Sequence, residues 1–145
     1  MVNVEVSVMI DRPVEEVWKF ITDLSKVPTW DTRVLEMKQT STGPLGVGST
    51  GEFREKMRNM TISIRIPEYD PNRRCSFEHT SGPMKGSIIT ESIENIDGKT
   101  RFTFSHDLKL SGFYKLLGVM KGRMRREVVA SLNNAKRILE SEAKS

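Results

Sequence analysis

Hydrophobic residues recur at every second position from the start of the chain. Val2, Val4, Val6, Val8 and Ile10 alternate with Asn3, Glu5, Ser7 and Met9, a period that places them on one face of a strand over residues 2–11. The spacing then changes to that of a helix opened by Asp11-Arg12-Pro13. Asp11 is the expected cap, Pro13 sits in the first turn, and Glu15 and Glu16 lie near the positive end of the dipole. Val14, Val17, Trp18 and Ile21 form the buried stripe. A second short helical stretch is expected to end at Pro28, with Trp30 after it. Period two returns in runs over about 32–41, 50–58, 60–69, 73–81, 85–96 and 99–110. Beyond Ser111, the expected N-cap, helical spacing resumes, and Leu117, Met120, Met124, Val128, Leu132, Ala135 and Leu139 trace one apolar stripe. The predicted order is one strand, two short helices, six strands and a long helix, in a single α+β domain over residues 1–145.

Turn chemistry sets the register. Asp97-Gly98 is a two-residue hairpin signal, because both central positions of a type I′ turn need positive φ. It sets Ile96 opposite Lys99, and so Ile93 opposite Phe102, Glu91 opposite Phe104, Ile89 opposite His106 and Ser87 opposite Leu108. Continuing across Gly82-Pro83 puts His79 near Ser87, Phe77 near Ile89 and Cys75 near Glu91. Turns at Asp70 to Arg73 and at Arg58-Asn59 place Ile64 beside His79, Phe53 beside Ile64 and Glu55 beside Ile62. One face then carries Phe53, Met57, Met60, Ile62, Ile64, Ile66, Phe77, Ile89, Ile93, Phe102, Phe104 and Leu108, interrupted by Glu55, His79, Glu91 and His106. Leu110 continues that face, while Arg101, Thr103, Ser105, Asp107 and Lys109 point away. An apolar lining with a few convergent polar groups is what a small-molecule site requires. Met120 and Met124, on the facing helix, would adapt such a lining to ligands of different shape; the same residues would also serve as core filling.

Composition narrows the classes. A chain of 145 residues is long enough to bury a core or enclose a cavity. It holds neither an 18-residue apolar run nor a signal peptide's apolar stretch, so a soluble, cytoplasmic protein without a transmembrane segment is expected. The single Cys75 cannot form an internal disulfide. With no paired cysteines or clustered histidines, no zinc site and no other cofactor is expected. The net charge of +4 is dispersed apart from "KGRMRR", Lys121 to Arg126. That run has no interleaved aromatics for base stacking, so no nucleic-acid partner is expected and a solvated helix face is the simpler reading.

Four motifs are open to a functional reading. Gly46-x-Gly48-x-x-Gly51, within "GPLGVGSTGEF", has dinucleotide-binding spacing, which carries that meaning only where a helix leaves the glycines. Here Glu52-Phe53-Arg54-Glu55-Lys56-Met57 alternates as a strand, so the phosphate cradle is missing. Cys75 and His79, four apart on one strand, are about 13 Å from each other and form no nucleophile–base pair. Glu91 and His106 are diagonal neighbours, about 7–8 Å apart at the backbone. They are the candidate catalytic acid/base pair, or else a mutually satisfied buried pair. Gly118-x-x-x-Gly122 permits a bend or close packing of the long helix, since no membrane span exists to carry it as a dimer motif.

The stretch "VMIDRPVEEVWKFITDLSKVPTWD", residues 8–31, and "GPLGVGSTGEF" resemble the START-like, polyketide cyclase/dehydrase superfamily over essentially the whole chain. The resemblance implies a helix-grip fold, with a curved seven-stranded antiparallel sheet wrapped around a long C-terminal helix. It also implies a hydrophobic cavity between the two. In relatives that cavity carries lipids, sterols, hormones or quinone-like molecules, or cyclises polyketides, and fold alone does not choose among these. The leading expectation is binding or transport of a small hydrophobic ligand, such as a lipid, polyketide, quinone-like or aromatic molecule. Its polar end would meet Glu55, His79, Glu91 or His106. The alternatives are a cyclase, aromatase or dehydratase using an interior acid/base residue, and an interaction module using the basic helix face. Monomer and homodimer both remain open.

Overall fold

The computed structural model describes residues 2–109 and 117–142. Ser111, the expected cap, and Leu110 lie outside the described residues, as do the side chains of Leu117, Gly118 and Met120.

Strand β1 (Val2–Ile10) leads into helix α1 (Val14–Ile21), a 3₁₀ turn (Leu24–Lys26) and helix α2 (Val27–Trp30). Six strands follow, β2 (Val34–Gln39), β3 (Thr50–Glu55), β4 (Met60–Asp70), β5 (Arg74–His79), β6 (Ile88–Ile96) and β7 (Lys99–Leu108), and then helix α3 (Leu117–Ser141). The seven strands form one antiparallel sheet in the order β1-β7-β6-β5-β4-β3-β2, curled into a half-barrel with α3 against it. Closing β1 onto β7 makes the first and last strands neighbours, so β1 and β2, joined through the helices, become the sheet's two edges.

Local chemistry explains the elements and corrects some expectations. Pro13, not Asp11, occupies the N-cap of α1, and no side chain caps it. The Asp11 backbone N–H donates instead to Glu140 Oε2 at 2.8 Å, and Arg12 Nη2 donates to the Glu140 carbonyl at 2.9 Å. The strand-to-helix corner is therefore tied to the end of α3. Pro28 lies in the first turn of α2 rather than ending a helix, a position where its missing N–H has no intrahelical partner to lose.

Asp97 and Gly98 both have positive φ, 52° and 88°, and the hairpin they make carries the predicted β6–β7 register, with Glu91 opposite Phe104 and Ile89 opposite His106. Phe77 faces Ile89, Cys75 faces Glu91 and Ile64 faces His79, also as expected. The β3–β4 connection differs. It spans residues 56–59 instead of two residues, with the Arg58 N–H donating to Glu55 Oε1 at 3.2 Å and Asn59 at φ 52°. Phe53 consequently faces Ile62, and Glu55 faces Met60. A slip of two leaves every side chain on its own face.

One end of the space between sheet and helices is solid. Val128, Leu132, Ala135 and Leu139 of α3 are buried with Val17, Ile21, Ile10 and Trp30, and Trp30 meets Phe102 edge to face at 5.9 Å between centroids. The glycine-rich stretch links β2 to β3, and no helix leaves it. Gly51 is needed for close approach, because a Cβ there would stand 2.8 Å from the Lys38 carbonyl oxygen, whereas at Gly46 it would meet nothing within 4 Å. Gly51→Ala is expected to lower unfolding free energy in urea by roughly 1–3 kcal/mol. Gly46→Ala should change it by less than about 0.5 kcal/mol.

Candidate functional site

Away from the packed end, the inner face of the sheet, the α2–β2 segment and α3 enclose a cavity of about 640 Å³. Each strand from β3 to β7 contributes in the predicted sense. β3 supplies Phe53 and Glu55, the following turn Met57, and β4 Ile64. β5 supplies Phe77 and His79, β6 Ile89 and Glu91, β7 Phe104 and His106, and α3 Met124. Several residues of the predicted inward face lie elsewhere, Ile66, Ile93 and Leu108 being buried in the core away from the cavity wall. Phe102 is consumed by the packing against Trp30, and Ile62, though buried, packs beneath Gly82 rather than on the cavity wall. Met60 stands at the sheet margin, 38% exposed, while Met57, at 58%, sits at the mouth.

The residue that organises the polar floor, Arg33, was not among those expected. It follows α2 where the chain turns into β2. Asp31 grips its guanidinium through two bonds, Nη2 to Oδ2 at 3.0 Å and Nε to Oδ1 at 3.1 Å, and also accepts the Arg33 backbone N–H at 3.0 Å. Ser131 of α3 anchors the same segment by accepting the Thr32 N–H at 3.0 Å, while its own hydroxyl donates to the Glu127 carbonyl at 2.9 Å. The guanidinium lies 5.1 Å over the Phe104 ring, a favourable cation–π placement. Its remaining edge, Nη1, stands 3.5 Å from His106 Nδ1.

Glu91 and His106 do not form the expected pair, since no hydrogen bond joins them among the described residues. Among the described residues Glu91 Oε2, His79 Nε2 and His106 Nε2 are all buried without a hydrogen-bond partner. Buried polar atoms are rarely left so. The two imidazoles lie 5.9 Å apart between centroids, and Phe53 stands edge-on to His79 at 5.5 Å.

Burial dominates the electrostatics here. Burial and the Arg33 charge lower His79 to about 4. Burial, Arg33 and His79 lower His106 to about 2. Glu91 moves well above the ordinary carboxyl range, because burial and the Asp31 charge outweigh the attraction of Arg33. Burial opposes the charge of Arg33, but Asp31, through charge and hydrogen bonds, raises its pKa overall. Cys75 is fully buried beside Glu91, and burial pushes its thiol up, leaving no thiolate for His79 to activate. At neutral pH the floor thus sets the Asp31–Arg33 ion pair beside two imidazoles kept neutral by burial and a carboxyl that burial shifts toward its protonated form. No group of three or more metal-ligating side chains occurs among the described residues, and no described helix is long and apolar enough to cross a membrane.

Sheet, gripped helix and interior cavity define the helix-grip class. The family model for polyketide cyclase / dehydrase and lipid transport matches residues 1–140. The chain belongs to that family. Comparison with curated protein sequences gives no match. Among solved structures, TTHA0849 from Thermus thermophilus superposes with a TM-score of 0.81 at 15% identity, over 99% of this chain and 100% of that one. The Aha1 dimer from Colwellia psychrerythraea gives 0.71 at 19% identity, over 97% and 98%. The di-domain ARO/CYC BexL from the BE-7585A biosynthetic pathway gives 0.77 at 16% identity, over 97% of this chain and 47% of that one. At these identities the likeness is one of fold.

The lowered histidines predict how the fold responds to acid. Below pH 6.5 the unfolded chain takes up protons on His79 and His106 that the folded protein does not, so stability falls as pH falls. Glu91 acts in the opposite sense. Its raised pKa makes the folded state hold a proton that the unfolded chain releases above about 4.5, so its contribution is present at low pH and lost on the way up. With two imidazoles against one carboxyl, acidification from pH 6.5 to 4.5 is expected to destabilise the protein. In urea titrations the double variant His79→Gln/His106→Gln should lose roughly 3 kcal/mol less than the parent over this window. Equal losses would mean that the imidazoles take up protons in the folded state.

Proposed function

We propose that the protein binds and carries a small apolar ligand, ring-containing or with an acyl chain, between the sheet and α3. Glu55, His79, Glu91 or His106 contacts the ligand's polar end. One observation carries this reading: an apolar cavity of about 640 Å³ has three unpartnered polar atoms on its floor. The volume lies within the range of small-molecule sites, about 300–1,000 Å³. Polar atoms on the floor call for a partner, a bound molecule or ordered water, which an empty apolar void would not. Family membership supports the reading as far as a hydrophobic ligand or a cyclase role in general.

Native mass spectrometry of the protein purified from its own source is expected to show an added organic mass; only the unliganded mass would count against a carrier. Ile89→Trp, which fills the cavity from β6, is expected to weaken binding of the released molecule by at least about tenfold while the protein still melts cooperatively. Unchanged affinity would place the ligand elsewhere.

A second reading, an enzyme of the cyclase, aromatase or dehydratase kind, is favoured by the raised pKa of Glu91 beside two neutral imidazoles. The ARO/CYC designation of BexL is in keeping with it. On a poly-β-ketone substrate, Glu91→Gln is then expected to lower kcat by about 10²–10⁴ with little change in Kd. An absence of turnover by the parent protein leaves the carrier reading alone.

A further inference from the structure

We propose that the ligand end received at the cavity floor is an uncharged oxygen that accepts hydrogen bonds, a carbonyl or hydroxyl, and that the floor rejects a carboxylate of the same skeleton. This rests on the ligand-binding reading above and goes further in naming the chemistry recognised.

A buried arginine in an apolar pocket would ordinarily invite a carboxylate, whose two oxygens match the guanidinium fork. Here Asp31 already fills the fork through Nε and Nη2. Only Nη1 remains toward the cavity, and it is directed at His106 Nδ1. Arginine can only donate. His106 must therefore accept at Nδ1, which puts the proton of the neutral ring on Nε2, a buried atom with no partner. His106 thus presents an N–H donor to the cavity. Glu91 Oε2, also unpartnered, comes from the neighbouring strand β6, and the neutral carboxyl favoured by its surroundings supplies a second donor. An oxygen that accepts hydrogen bonds is the group that satisfies donors of this kind.

Charge complementarity excludes the ionic alternatives. Arg33 and Asp31 cancel. Glu127 of α3 is engaged by Arg123 at 3.4 Å, and Glu55 of β3 by Arg58 at 3.4 Å. Among the described residues the floor offers an added carboxylate no uncommitted cation, since Lys56, which has no ion pair, stands exposed at the rim, and Asp31 and Glu127 would face it. An added ammonium would face Arg33. Either would be buried without a counter-ion.

Calorimetric titration with 2-acetylnaphthalene, 2-naphthol and 2-naphthoate at neutral pH tests this on one ring system. The ketone and the naphthol are expected to bind at least about 30-fold more tightly than the carboxylate. Asp31→Asn, checked for cooperative melting, frees the fork of Arg33 and is expected to reverse the order by strengthening naphthoate at least about tenfold. His106→Phe is expected to weaken the ketone about tenfold and naphthoate little. Naphthoate binding to the parent within about threefold of naphthol would overturn the inference and leave the cavity as a ligand site. Failure of all three probes to bind would overturn the ligand-site reading, and this inference with it. Should Asp31→Asn not fold, the parent series still decides.

Discussion

The interior depends on one ion pair. Arg33 has a side chain only 18% exposed and Asp31 one only 6% exposed, so neither charge is held by water. Each exists because the other is two residues away in the same short segment. Local sequence thereby achieves what a long-range pair would have to secure through packing alone. The pair also gathers distant parts of the chain. Ser131 joins it to α3, Phe104 lies under the guanidinium, and His106 meets its free edge. Burial, helped by the Arg33 charge, keeps the imidazoles of His79 and His106 neutral, and burial, helped by the negative charge of Asp31, drives Glu91 toward its protonated form. The protonation pattern of the floor follows from burial first and from the field of this pair second.

Most of the sheet could be read from the sequence because hairpins are short-range objects. Asp97-Gly98 has one compatible turn, and once that turn is set, every pairing between β6 and β7 follows by counting. The same logic went wrong at Arg58-Asn59, where Asn59 does turn in the left-handed region but Glu55 captures the Arg58 N–H and lengthens the loop. Alternation protected the result, since the slip was by two. At Asp11 and Pro28 the mistake was of another kind. Residue preference identified a helix boundary in each case, but tertiary partners, Glu140 for the Asp11 N–H among them, decided which residue stands where.

The site was legible to the extent that it lies on strands. Glu55, His79, Glu91 and His106 interrupt apolar rows, and period two alone turns them inward. What periodicity lacks is the contribution of irregular segments. Asp31 and Arg33 sit between a four-residue helix and a strand with a bulge at its start, where no repeat says which way a side chain points. The available signal was Asp-x-Arg directly after a buried Trp30, a spacing suited to a local ion pair. Nor could diagonal spacing foretell whether Glu91 and His106 would meet. It gives a backbone distance, and in the structure it is the free edge of Arg33 that stands at His106 Nδ1.

The same floor limits what chemistry the cavity could perform. A general base works best when its pKa lies near the working pH. His106, lowered to about 2, and His79, lowered to about 4, are weak proton acceptors at neutrality; their strength is in donating through a neutral N–H. Glu91 is shifted the other way, toward its protonated form, by burial and the Asp31 charge. On the enzyme reading, proton transfer would fall to Glu91 rather than to the histidines. A carrier asks less of the same arrangement. Neutral groups are cheaper to desolvate than ions, so the floor can be covered by a guest and uncovered again without moving a charge between water and protein.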